Sequence, residues 1–410
     1  MAADQKILTR LHEFDALRAF VLLLGIVLHA SLSYTPGSAS FWLVPDGSTG
    51  TFTGLAFYIP HMFRMILFFL IAGLFGALLF DRLGARGYLK HRFKRLTGVL
   101  LLFWFPTLAL IVFALIAGYA LGGGPLIDGP PPPPPSFKPD DFPLTHLWFL
   151  WQLSLTTWCF FAARTLTDKI GLLAPAARAG RAIVAVAVRH SFGLLAAIPL
   201  AAALAFDPSW LPWFGIKTPD QQLYPTVATI AGYWLAFAIG WAMWRQPEIL
   251  KILKARAPWH LAIAAATTAA CLALIGVRPS LTVNGNDGQW IGYASLYAVA
   301  GWQWTLGLVG AFQRWLSREI PGIRYLSDAS YWLYIAHLPL VLFFQALLVH
   351  IALPWFVKLA LVLCATLGPL IIIYDLAVRP TWLGKMLNGR RLDSVLLHRW
   401  KKPSINPRIS

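Results

Sequence analysis

Apolar runs long enough to cross a bilayer recur along the whole chain, at roughly residues 16–34, 55–80, 96–120, 146–163, 190–206, 224–244, 258–277, 290–312, 329–350 and 355–378. About 20 such residues span the hydrocarbon core as a helix. Lipid offers no partner to a backbone N–H or C=O, so each run must satisfy its own hydrogen bonds. Ten runs of this length predict an all-α integral membrane protein, a bundle of about ten transmembrane helices. Of the 410 residues, 58% are hydrophobic and only 12% charged, about half the charge of an ordinary soluble domain. Soluble multidomain enzymes and secreted disulfide scaffolds are thereby excluded. Cys159, Cys271 and Cys364 lie inside apolar runs without metal or disulfide spacing.

The net charge of +17 and pI near 10.1 would suit a nucleic-acid binder, but the distribution of the charges argues against nucleic acid. Basic residues fill alternate loops: Arg82 to Arg95 after the second run, Arg164 to Arg189 after the fourth, Arg245 to Arg256 after the sixth, Arg314 to Arg324 after the eighth, and Arg379 to Arg408 at the end. The opposite loops carry only Lys138, Lys217, Arg278 and Lys358. The positive-inside rule then puts both termini in the cytoplasm, as an even number of spans requires. Asp4, Glu13 and Asp15 precede the first run and no small-residue cleavage site follows it, so no signal peptide is expected. The expected organisation is a cytoplasmic segment 1–15, a membrane domain 16–378 and a basic cytoplasmic tail 379–410. The longer loops 35–54, 121–144 and 207–223 face the other side, and Pro130 to Pro135 reads as a stiff spacer.

Every acidic residue sits in a loop or at a span edge, Asp375 deepest, which leaves paired-carboxylate chemistry without candidates in the membrane core. The ionisable groups inside are Arg18, His29, His61, Arg64, His146 and His337, and at that depth function is the default reading. Arg18 and His29 share a helical stripe, since eleven residues turn about 1100° and rise about 16 Å. Gly25 and Ser33 lie on the same stripe. The bland readings are a snorkelling anchor for Arg18 and a structural histidine for His29. In the second run His61 and Arg64 share a face, and Arg64 has no carboxylate near it in sequence. It must meet a distant carbonyl or an anionic ligand. Lys90-His91-Arg92-Phe93-Lys94-Arg95 reads either as ordinary inside charge or as an anion clamp in which Arg92 and Arg95 reach phosphates.

Several strings together resemble the acyltransferase family 3 membrane enzymes, and within them the branch that succinylates osmoregulated periplasmic glucans. They are Phe14-Asp15-Ala16-Leu17-Arg18-Ala19 followed by His29, then His61-Met62-Phe63-Arg64-Met65 leading to Phe68-Phe69-Leu70-Ile71-Ala72-Gly73. Next come Arg92-Phe93-Lys94-Arg95, His146-Leu147-Trp148-Phe149-Leu150 and Ala329-Ser330-Tyr331-Trp332-Leu333-Tyr334-Ile335-Ala336-His337-Leu338-Pro339. The similarity runs from about residue 13 to 380. It implies a bacterial inner-membrane enzyme with His29 catalytic and Arg18, Arg92 and Arg95 binding acyl-CoA. His61, Arg64, His146 and His337 are expected to bind acyl group or acceptor. Ala72 departs from the family, which usually has Ser there. Arg64 stands where O-acetylating members usually carry a small residue, and in this the chain resembles the glucan-succinylating branch.

The residues support acyl transfer in their own right. Cytosolic acyl-CoA, succinyl or acetyl, needs a basic inner mouth for its phosphates, and its pantetheine arm is of the order of the Arg18–His29 separation. A glucan hydroxyl arriving from the periplasm needs a base with a near-neutral pKa, which His supplies. No permanently bound cofactor and no metal are expected; the partners are acyl-CoA, glycan and lipid bilayer. The competing readings are an O-acetyltransferase of another envelope glycan and a ten-span secondary transporter or flippase, although no inverted repeat or paired broken helices are visible.

Overall fold

The computed structural model of the chain describes residues 12–125, 136–283 and 288–400. Pro130 to Pro135, most of the segment 1–15 and the last ten residues lie outside them. Among the described residues every regular element is helical, and each of the ten expected runs carries helix. Six helical segments are long and apolar enough to cross a membrane, and a bent pair makes a seventh. The protein is a multi-pass membrane protein.

Helix α1 is His12–Leu32, α2 Thr51–Arg92, α3 Gly98–Gly122, α4 Trp148–Lys169, α5 Leu173–Val184 and α6 Leu194–Ala205. Then follow α7 at Val227–Trp244, α8 at Pro247–Ile275, α9 at Gly288–Trp315, α10 at Pro321–Leu348 and α11 at Trp355–Val378. Helices α2 and α3 run on through Thr51–Gly122, about 108 Å if straight and far beyond one bilayer crossing. The chain reverses at Gly84, whose φ of 65° suits a residue without Cβ. Past it, the Arg92 guanidinium donates to the Ala72 carbonyl at 3.3 Å, two residues that a straight helix would hold about 30 Å apart.

The fifth run differs from expectation. Residues 194–205 form a helix of only 12 residues, about 18 Å, set at 99° to the segment 173–190. It is too short to cross alone; Arg189, His190 and the left-handed pair Phe192 and Gly193 mark the bend.

Helix α1 is the most enclosed span, packed against α2, α9 and α10, whereas α3 turns Leu101, Phe105, Phe113 and Ile116 outward. Gly73 of α2 and Gly240 of α7 each abut the other helix's backbone, at Phe237 and Leu70, so no side chain separates the two helices there. Lys358 is buried and pairs with Asp46 at 2.7 Å, both side chains 2% exposed. This fastens loop 35–54 to α11 and removes one cation from the sparse side of the charge count. Beyond residue 378 the chain packs back on the bundle: Asp375 accepts from Ser394 Oγ and from the backbone N–H of Val395 and Leu396 at 2.5–3.1 Å.

Candidate active site

Four elements converge on one narrow cavity. Helix α1 brings Gly25 and His29, α2 Arg64 and Phe68, the start of α4 His146, Trp148 and Phe149, and α10 Tyr334 and His337. Four residues expected from sequence, His29, Arg64, His146 and His337, therefore meet although they lie up to 308 positions apart.

The hydrogen-bond chain fixes the tautomers. His337 Nδ1 lies 2.7 Å from the Tyr334 carbonyl and 3.2 Å from that of Leu333, and both oxygens only accept, so Nδ1 carries the proton. In the neutral ring Nε2 is then an acceptor, and its partner is His29 Nδ1 at 2.8 Å. His29 must donate there. Its Nε2 is left with a free lone pair, the form a general base requires.

The backbone around His29 is equally tied. Gln345 Nε2 donates to the carbonyls of His29 and Ala30 at 3.2 and 3.1 Å, and Trp42 Nε1 donates to Gln345 Oε1 at 3.0 Å. The Trp42 ring lies 5.9 Å from the His29 ring and nearly parallel to it. Trp42 and Gln345 were not singled out from sequence because neither titrates. An amide inside an apolar run was the available signal.

Arg64 is the cation of the cavity. Its guanidinium lies against Gly25, where a Cβ would collide with it. Among the described residues it makes no hydrogen bond or ion pair, and its buried Nε has no partner. His146 donates from Nε2 to the Ile335 carbonyl at 3.0 Å, leaving Nδ1 buried and unpaired. His61 stands apart from this group, stacked on Phe57 at 4.8 Å and bonded to the Ile216 carbonyl at 3.1 Å.

The other expected residues form a second cluster at the basic end. Arg18 bonds Ser327 Oγ at 3.0 Å and pairs with Asp15 at 3.3 Å. Arg95 donates to the Leu387 carbonyl, and Arg18 and Arg92 lie near enough to repel it. Arg92 reaches the carbonyl of Ala72, the position of the missing family hydroxyl. Among the described residues no group of three or more His, Cys, Asp or Glu is placed to hold a metal ion.

A half-buried histidine poised as a base, an unpaired cation beside it and an arginine cluster beyond suit transfer of an acyl group from an anionic carrier. The profile of an acyltransferase domain matches residues 11–375. The chain belongs to acyltransferase family 3. This acyltransferase is similar to Glucans biosynthesis protein C of Shigella boydii serotype 4 (strain Sb227), 26% identical over 381 residues that cover 92% of this chain and 94% of that protein. The same figures hold for Glucans biosynthesis protein C of Escherichia coli (strain K12). No solved structure matches the chain.

Proposed function

We propose that this membrane acyltransferase moves a succinyl group from cytosolic acyl-CoA to hydroxyls of a periplasmic glucan, in the inner membrane, with ten crossings and both termini cytoplasmic. The observation that carries the proposal is the free Nε2 of His29, held by His337 inside a cavity that also contains an unpaired Arg64. The glucan acceptor is suggested by the name of the relatives.

In this reading the acceptor hydroxyl gives its proton to His29 Nε2 as its oxygen attacks the thioester carbonyl carbon. The C–S bond breaks, the ester forms, and the imidazolium returns the proton to the departing thiolate. His337 acts as a positioning residue, since both its nitrogens are engaged. Arg18, Arg92 and Arg95 hold the phosphates of the donor at the cytoplasmic mouth, and salt should weaken that hold. Succinyl brings its own carboxylate. Arg64 receives it as a bidentate pair, which supports succinyl over acetyl.

The test incubates membranes holding the protein with labelled succinyl-CoA or acetyl-CoA and a periplasmic glucan. Label should pass to the glucan from succinyl-CoA in preference to acetyl-CoA. Equal use of both donors would remove the selectivity assigned to Arg64, and transfer from neither would overturn the reading.

A further inference from the structure

Gln152 on α4 is fully buried, and neither its Nε2 nor its Oε1 has a hydrogen-bond partner. An amide in that condition is strongly disfavoured inside a protein, more so in a span where an apolar residue would serve. Its place in the bundle is informative. Trp148 and Phe149 line the His29 cavity; Gln152, four and three residues on, projects between their directions about one turn further along.

Helix α2 provides the depth scale. The Phe68 and Phe149 rings touch at 4.5 Å, and the Phe80 and Phe161 rings lie 6.3 Å apart. The offset between residue numbers is the same at both contacts, so α2 and α4 run parallel and in register. Gln152 is therefore level with Ile71, the neighbour of Ala72, whose carbonyl holds Arg92. The orphan amide lies one turn past the cavity of His29 and at the depth where an arginine of the basic cluster is held, a depth that a donor anchored at one and reacting at the other must pass.

We infer that Gln152 binds the amide group next to the sulfur of a thioester donor of the coenzyme A type. Its Nε2 donates to the carbonyl of that amide and its Oε1 accepts the amide N–H. The inference rests on the acyl-CoA reading above and adds the group that recognises the arm rather than the phosphates.

The experiment compares wild type with Gln152→Leu on three succinyl thioesters: succinyl-CoA, the N-acetylcysteamine thioester, which keeps the amide and lacks phosphates, and a butanethiol thioester, which lacks both. Loss of the pairing should lower kcat/KM about tenfold for the two amide-bearing donors, mainly through KM, and leave the alkyl thioester within twofold. Donor-free Gln152→Leu should melt no lower than wild type, because an unsatisfied amide has been removed. Gln152→Met serves if Leu does not fold. Should neither fold, wild type alone decides, since it should favour the N-acetylcysteamine thioester over the alkyl one about tenfold. Equal losses on all three donors, or none, would overturn the role of Gln152 while the donor reading stands. A wild type that uses none of the three would overturn both.

Discussion

Replacing His337 by Phe keeps a planar ring in a site only 1% exposed and removes the acceptor that sets the His29 tautomer. His29 Nδ1 donates to His337 Nε2 at 2.8 Å. Without that acceptor, the Nδ1–H form leaves a buried donor unsatisfied, a penalty of about 1–3 kcal/mol. The ring relieves it by moving its proton to Nε2, which removes the lone pair proposed to take the acceptor proton. The reactive tautomer then falls by about 5- to 150-fold, and kcat with it. The assay is succinyl transfer at saturating donor in detergent or membranes, with KM for succinyl-CoA expected within twofold, since the arginine cluster is untouched. His337→Gln can still accept through Oε1 and should recover a substantial part of the loss. A folded His337→Phe enzyme with kcat within twofold of wild type would refute the tautomer argument. So would a Gln variant as impaired as Phe.

Arg64→Lys keeps the charge and loses the fork; succinyl transfer should fall at least about tenfold and any acetyl transfer far less, with equal losses removing Arg64 from donor selection. Lys358→Met strands Asp46 in a buried site and should lower stability by about 3–5 kcal/mol, most of it restored by adding Asp46→Leu; an unchanged unfolding midpoint for the single variant would show the pair to be dispensable. With Cys159, Cys271 and Cys364 replaced, Ser40→Cys and Lys138→Cys, both exposed positions, should react with an impermeant maleimide in intact cells. Labelling only after lysis would invert the proposed topology.

The helices were legible because hydropathy and length act locally: a run such as 355–378 needs no partner to declare itself. What depends on partners was not. Gly84 looks like any glycine at a basic loop until Arg92 is found folded back on Ala72. Lys358 counts as one more outer charge until Asp46 is found beside it. Residues 190–206 pass as one straight apolar span although the bend at Phe192 and Gly193 leaves a helix too short to cross except together with the segment 173–190. In the site, the sequence drew attention to His29, Arg64, His146 and His337 because charge in hydrocarbon is conspicuous. Gln345, Trp42 and Gln152 carry no charge, and their importance rests on whether an amide or carbonyl of another helix lies within hydrogen-bond reach, which no spacing along one helix reveals. His61 misled in the opposite direction. It shares a helical face with Arg64, yet a stack on Phe57 and the Ile216 carbonyl hold it outside the cavity.

The central claim is that His29 Nε2 takes the acceptor proton, and the most direct measurement is label transfer from succinyl-CoA to periplasmic glucan by wild type and His29→Ala side by side. Donor binding and melting are measured on the same preparations. The alanine variant should fold, bind donor as wild type does and lose at least about a hundredfold in transfer. Near-normal turnover by a folded His29→Ala protein would contradict the account.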